Sequence, residues 1–145
     1  MGYELIPAAR ISSSGLKAER TRMEIAANNI ANAQATSPDG KNVYRKKIAV
    51  FESILKDQFN KDSQSSLGGV KVKEIAQSTK DPIEIYNPSH PHADEKGMLK
   101  KPNLSPLEEM VDMMTATRAY ETNLSIMKQS KKMAEKMIGL VGGGS

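Results

Sequence analysis

The side chains best suited to chemistry in this 145-residue chain gather in one short stretch, His90-Pro91-His92-Ala93-Asp94-Glu95. Two imidazoles and a carboxylate at H-x-H-x-D spacing are ligand types for zinc or a similar divalent metal. An extended chain across Pro91 would point both rings the same way. The chain has no third histidine and no cysteine to complete such a site. Pro88 and Pro91 exclude helix and central strand, so the stretch reads as a structural turn. Neither a metal nor a cofactor is expected.

Other groupings lead no further towards catalysis. Glu108-Glu109 could suggest acid/base work, but Ser105-Pro106-Leu107-Glu108 is a capping box with Pro at the first helical position. Acidic residues there, with Asp112, complement the positive end of a helix dipole. Asp94-Glu95 lies in the turn. The glycines at 142–144 precede nothing that would cradle a nucleotide. The absence of cysteine removes disulfide and thiol chemistry. No enzyme is expected.

Charge is similarly undirected. The formal net charge is +4. Residues 1–36 carry four basic and three acidic side chains, residues 37–104 twelve and nine, and residues 105–145 five of each, so the excess lies in the middle. Arg45-Lys46-Lys47 and Lys100-Lys101 lack an aromatic stacking platform, which argues against nucleic acid. Strand alternation would send Lys46 to the face opposite Arg45 and Lys47, and these runs read as solvated or subunit-contacting surface. No apolar run approaches the roughly 20 residues of a membrane span, and the N-terminus lacks a Sec-type h-region. A Sec route is not expected, and a specialised export route stays open.

The elements that position these residues are two amphipathic helices flanking an irregular middle. From Met110, steps of three and four reach Met113, Thr117, Tyr120, Leu124, Met127, Lys131, Ala134, Ile138 and Val141, apolar at all but Thr117 and Lys131. That is coiled-coil spacing, and it predicts a helix from Ser105 to about Gly139, with either Gly139 or the glycine run 142–144 as its stop. The N-terminal run has a thinner seam at Ala9, Leu16, Met23 and Ile30, predicting a helix from Pro7 to Asn32 that ends before the turn signal Ser37-Pro38-Asp39-Gly40. Between them, Tyr44 to Phe51, Gly69 to Ile75 and Pro82 to Tyr86 read as short strands. The polar stretch 56–68 reads as a mobile loop.

The fold class is therefore mostly α (α+β): long N- and C-terminal helices packed as an antiparallel coiled coil, with a small irregular β element or extended arm between them. Four segments are expected: the first helix (1–36), the middle (37–104), the second helix (105–141) and a flexible tail (142–145). With only 4% aromatic residues and nine methionines, the apolar content suits helix packing. A Met stripe at this spacing reads as packing rather than as a promiscuous groove.

Two stretches carry a resemblance. AANNIANAQATS, from Ala26 to Ser37, is similar to the A-x-N-[LI]-A-N signature near the N-terminus of bacterial flagellar rod and hook proteins. His90 to Leu124, HPHADEKGMLKKPNLSPLEEMVDMMTATRAYETNL, looks like the matching C-terminal signature of the proximal-rod family. Departures are His92, where that family more often has Asp, and Met98, where an aromatic is usual. The resemblance implies a structural subunit, exported through the flagellar type III apparatus and polymerised into the rod. Its helices would line a channel, and the rod, spanning the periplasm, would carry torque. The implied partners are further copies of itself, other proximal and distal rod subunits, the MS-ring/rod junction protein and the export apparatus. Nucleic acid and direct membrane insertion are not implied.

Within that picture the asparagine-alanine cluster has a physical use. Asparagine is a poor helix former, but Ala26, Ala27, Ala31 and Ala33 would let helices approach closely while Asn28, Asn29 and Asn32 supply directional amides. The expected subunit-contact residues are Ala26, Ala27, Asn28, Asn29, Ile30 and Asn32 on the first helix. On the second they are Met110, Met113, Arg118, Tyr120, Glu121, Asn123, Leu124 and Met127. Ser105 and Glu108 are the expected cap, and Arg118 with Glu121 can pair within the helix. The competing function is a soluble coiled-coil adaptor of fixed stoichiometry, which leaves the asparagines unexplained.

Overall fold

A computed structural model describes residues 7–54 and 68–142. Its order is α1 (Pro7–Asn32), β1 (Lys47–Ile54), β2 (Gly69–Gln77), β3 (Ile83–Tyr86), β4 (Met98–Lys101) and α2 (Pro106–Gly142). Strands β1 and β2 form one two-stranded sheet, and β3 and β4 another. The second is antiparallel, with Ile83 opposite Lys101 and Tyr86 opposite Met98. Two long helices with small β elements between them are thus present. The expected loop 56–68 lies outside the described residues except for Gly68, as does the expected tail beyond Gly142.

Helix limits follow local chemistry. At α2 the Ser105 hydroxyl lies 3.5 Å from the Glu108 amide and the Ser105 carbonyl accepts from the Glu109 amide at 3.2 Å. These are the side-chain and backbone halves of an N-cap. Gly139 does not end this helix: a Cβ there would meet nothing within 4 Å, so the residue costs about 1 kcal/mol of propensity without a break. After α1 the chain turns at Gly40, with a φ of 61°. The Asp39 carboxylate closes that turn by accepting from the Ser37 hydroxyl and from the Lys41 amide at 3.3 Å. These bonds, the Ser37 one foremost, hold its pKa below the usual value.

The second strand starts at Gly69 as the sequence pattern suggests and β3 one residue later than expected, but β1 starts three residues later, because its expected first residues are used elsewhere. β1 begins at Lys47 rather than Tyr44. The Tyr44 hydroxyl reaches back to α1, and the Arg45 guanidinium donates to the Ser78 and Lys80 carbonyls and faces Asp81 at 3.4 Å. The short β4 was not expected. It forms because Asp94 accepts from the Lys96 and Met98 amides at 2.9 and 2.8 Å, and Gly97, at φ 75°, returns the chain onto β3.

The chain divides into two compact units. One holds residues 22–50 and 74–115. Its interior is Ile25, Ala26, Asn29, Ala33, Val43, Leu99, Pro102 and Glu109. The other holds, among the described residues, 7–21, 51–54, 68–73 and 116–142, with Ser12, Ala18, Ala116, Ser130 and Ala134 buried. Small side chains dominate here. A Cβ on Gly15 would stand 2.9 Å from the Asn123 amide nitrogen, so glycine permits that helix-to-helix approach. The Ser14 hydroxyl accepts from the Val70 amide at 3.1 Å, tying α1 to β2.

Candidate assembly interface

The most constrained chemistry lies around Asn29, which is 0% exposed. A carboxamide has two N–H donors and two acceptor lone pairs, and all four are used. The Asn29 nitrogen donates to the Lys47 carbonyl at 2.9 Å and to Glu109 Oε2 at 2.8 Å. Its oxygen accepts from the Lys47 amide at 3.0 Å and the Tyr44 hydroxyl at 2.8 Å. Towards Lys47 the side chain behaves like a neighbouring strand, pairing both backbone groups at the start of β1.

Glu109, 2% exposed, is the other buried member. Its second oxygen has no aligned hydrogen bond, but the Lys46 ammonium lies 2.5 Å away. Charge pairing is therefore what compensates this carboxylate for lost water. Burial, and then the Glu109 charge, raise the Tyr44 pKa above 10.0. The later turns of α1 and the start of α2 are thus joined through one knot, extended by an Arg22–Asp112 ion pair at 3.0 Å.

The expected contact residues separate into distinct groups. Ala26 and Asn29 are buried; Ile30 and Asn32 are half-buried; Ala27 and Asn28 are exposed. Asn28 and Asn32 turn their nitrogens onto their own helix, donating to the Glu24 and Asn28 carbonyls at 2.9 and 2.8 Å. On α2, Met113, Tyr120, Asn123, Leu124 and Met127 are half-buried, whereas Met110, Arg118 and Glu121 are exposed. Among the described residues, Arg118 and Glu121 form no ion pair.

Pattern reasoning did not single out Lys46, Tyr44 or Glu109 as a site. On α2 the expected seam positions Met113, Tyr120 and Met127 are half-buried and Ala134 is buried, but the other covered line follows Glu109, Ala116, Asn123 and Ser130, one residue ahead of the expected Met110, Thr117, Leu124 and Lys131. That heptad of small and polar residues is visible in the sequence, but a search for apolar periodicity passes over it. The large side chains are left outside: Leu107 is 71% exposed, Met110 47% and Met133 60%, and Val111, Met114, Ile126, Met137, Ile138 and Leu140 are also exposed.

The histidine stretch forms the turn between β3 and β4. His92 Nδ1 lies 2.7 Å from the Thr36 hydroxyl, and His90 Nδ1 accepts from the His92 amide at 3.1 Å. Both nitrogens serve local structure. Among the described residues no group of three or more His, Cys, Asp or Glu gathers in a metal-binding arrangement. Lys101 donates to Gln34 at 2.9 Å, so the basic runs find partners within the chain as well as solvent.

Residues 10–37 match the family model described as flagella basal body rod protein. Residues 95–140 match flagellar basal body rod FlgEFG protein C-terminal. The flagellar basal-body rod protein FlgC of Agrobacterium fabrum is 38% identical over 138 residues, covering 94% of this chain and 95% of the relative. The chain belongs to the FlgC family. The Bacillus subtilis member is 36% identical, over 88% of this chain and 92% of its own length. The Borreliella burgdorferi member is 34% identical, over 96% and 99%. The matched segments contain Asn29 and Glu109, so the buried knot joins the two family regions. The family is structural, not enzymatic, and belongs to the flagellar basal body.

Proposed function

We propose that this chain is a structural subunit of the proximal rod whose burial is completed only by polymerisation. One observation carries this reading: the buried side chains of α2 are small or polar, while Leu107, Met110, Val111, Met114, Ile126, Met133, Met137, Ile138 and Leu140 are exposed. Each Leu, Val or Met covered by a neighbour contributes about 1.5–3 kcal/mol, and exposed apolar faces of this kind mark contact surfaces. The terminal helices pack as an antiparallel coiled coil, supported by Asn29 meeting Glu109 and the earlier Arg22 meeting the later Asp112. Subunits so joined form a helical, channel-bearing rod across the periplasm. Torque passes through long helices rather than flexible links. Ala27, Asn28, Asn32, Arg118 and Glu121 contact neighbours, while Asn29 sets the subunit's own shape.

The partners on this reading are copies of itself, other proximal and distal rod proteins, and the MS-ring/rod junction protein. Delivery is through the type III export apparatus without a cleaved Sec signal. A complementation experiment tests it. The chain is expressed in a motile bacterium lacking its own family member, and swimming and purified basal bodies are scored. Restored swimming with the chain in the rod is expected. Expression at normal level without incorporation would overturn the proposal, and a dimer of fixed stoichiometry would favour the adaptor.

A further inference from the structure

Charge is segregated along α2. Four of its five acidic residues, Glu108, Glu109, Asp112 and Glu121, precede Asn123, and four of its five basic residues, Lys128, Lys131, Lys132 and Lys136, follow it. Each half also exposes its own apolar face. Leu107, Met110, Val111 and Met114 form the first, beside Glu108 and in line with Glu121. Ile126, Met133, Met137 and Leu140 form the second. A groove of about 600 Å³ lined by Ser125, Lys128, Gln129, Lys132, Met133 and Lys136 adjoins that face at Met133. Among the described residues, no ion pair engages those three lysines, Glu108 or Glu121.

We propose that the two faces cover one another between copies, head to tail, so that the acidic first half of α2 in one subunit seats in the lysine-bordered second half of α2 in the next. The occupant is a second copy because one helix carries both complementary surfaces. Glu109 and Asp112 are paired with Lys46 and Arg22 within the chain, which leaves Glu108 and Glu121 as the exposed carboxylates of the first half, with Arg118 between them. A like-on-like contact of the second halves would oppose two lysine rows, which the exposed carboxylates of a first half would neutralise instead. Head-to-tail contact is heterologous and need not close, which suits an open helical polymer. Methionines on both faces adapt to an imperfect fit. The inference rests on the polymerising role proposed above and adds which surfaces meet.

Cysteine cross-linking tests it, since the native chain has none. Met114 and Met133 lie 19 residues apart on one helix, about 28 Å at 1.5 Å per residue, so a disulfide between them must join two copies. Full-length chain carrying Met114→Cys and Met133→Cys is expressed in place of the host's family member, and basal bodies are purified and oxidised. A ladder of dimers and larger species from the double variant, with none from either single variant, is expected. A dimer from one single variant would show like-on-like contact and overturn the proposal. A cross-link to a different protein would overturn the choice of a second copy. Incorporated but uncross-linked chain would overturn the head-to-tail contact and leave the rod role standing. Failure of the unsubstituted chain to enter basal bodies would overturn that role and this inference together. As a second measurement, Lys128→Glu/Lys132→Glu/Lys136→Glu lowers incorporation about tenfold or more, and adding Glu108→Lys/Glu121→Lys restores it. Absence of rescue would count against the pairing.

Discussion

Asn29→Asp is the most informative single change, because it keeps the shape of the side chain while inverting half its chemistry. The nitrogen that donates to Glu109 and to the Lys47 carbonyl becomes an acceptor facing two acceptors, at 2.8 and 2.9 Å. A hydrogen bond to a charged group is worth about 1.5–3 kcal/mol, and one to a neutral carbonyl about 1. Two carboxylates about 4 Å apart repel by roughly 4 kcal/mol at an effective dielectric of 20. One of them takes up a proton before the whole repulsion is felt, so a loss of about 3–6 kcal/mol near neutral pH follows. The same groups fix the sign with pH. Burial and the Glu109 charge raise the folded-state pKa of the new aspartate above its unfolded value near 3.9. The folded variant then binds more protons than the unfolded chain, and its deficit relative to the parent grows as pH rises from about 4 to 7. Urea unfolding followed by circular dichroism at pH 5 and pH 8 measures this. A variant within about 1 kcal/mol of the parent at pH 8 would refute the buried four-bond arrangement.

Three further outcomes follow from the same geometry. Lys46→Met leaves the Glu109 carboxylate without its cation, a loss of about 3–5 kcal/mol, and Lys46→Met/Glu109→Gln recovers most of it in denaturant midpoints. Gly97→Ala is strained at φ 75° and brings a Cβ to 2.9 Å from the Tyr86 ring and 3.0 Å from Pro88. It costs about 1–3 kcal/mol, read by thermal unfolding, whereas Gly139→Ala, with open space around it, is neutral or stabilising. Tyr44 ionises above the ordinary phenol value of 10.0, so its contribution to stability is intact below pH 10 and lost as pH rises through the folded pKa. Ultraviolet titration should show a phenol step above pH 10 that Tyr44→Phe removes.

Much of the architecture was legible because it is written in local chemistry. Pro7 and Asn32 bound the first helix, Ser105 and Pro106 start the second, and Asp39-Gly40 turns the chain. The start of β1 was misplaced because Tyr44 and Arg45 have strand-like character but long-range partners, which no local pattern reports. The β4 strand was missed for a related reason. Met98 to Lys101 is too short to show alternation, and it exists because Asp94 and Gly97 bring it beside β3.

The interface was half legible. The asparagine cluster drew notice as an unusual use of amides, yet its three members differ in role. Asn29 spends its full hydrogen-bonding capacity within the subunit, and Asn28 and Asn32 bond to their own helix. Helical phase explains the difference, since only Asn29 falls in line with Ile25 and Ala33 on the buried face. Apolar periodicity on α2 likewise marked a seam, of which Met113, Tyr120, Met127 and Ala134 are covered, while the line expected through Met110 and Thr117 is replaced by one a residue earlier through Glu109 and Ala116. For a chain that assembles, sequence pattern sums contacts within the subunit and contacts between subunits, and it cannot apportion them.

Methionine oxidation apportions them directly. Met110, Met114, Met133 and Met137 are exposed in the single chain, and peroxide converts an accessible thioether to a sulfoxide that mass spectrometry counts residue by residue. If polymerisation completes the burial of α2, these four oxidise readily in the free subunit and are protected in purified rods. Equal rates in the two states would mean that the large apolar faces of α2 stay in water after assembly, contradicting that claim.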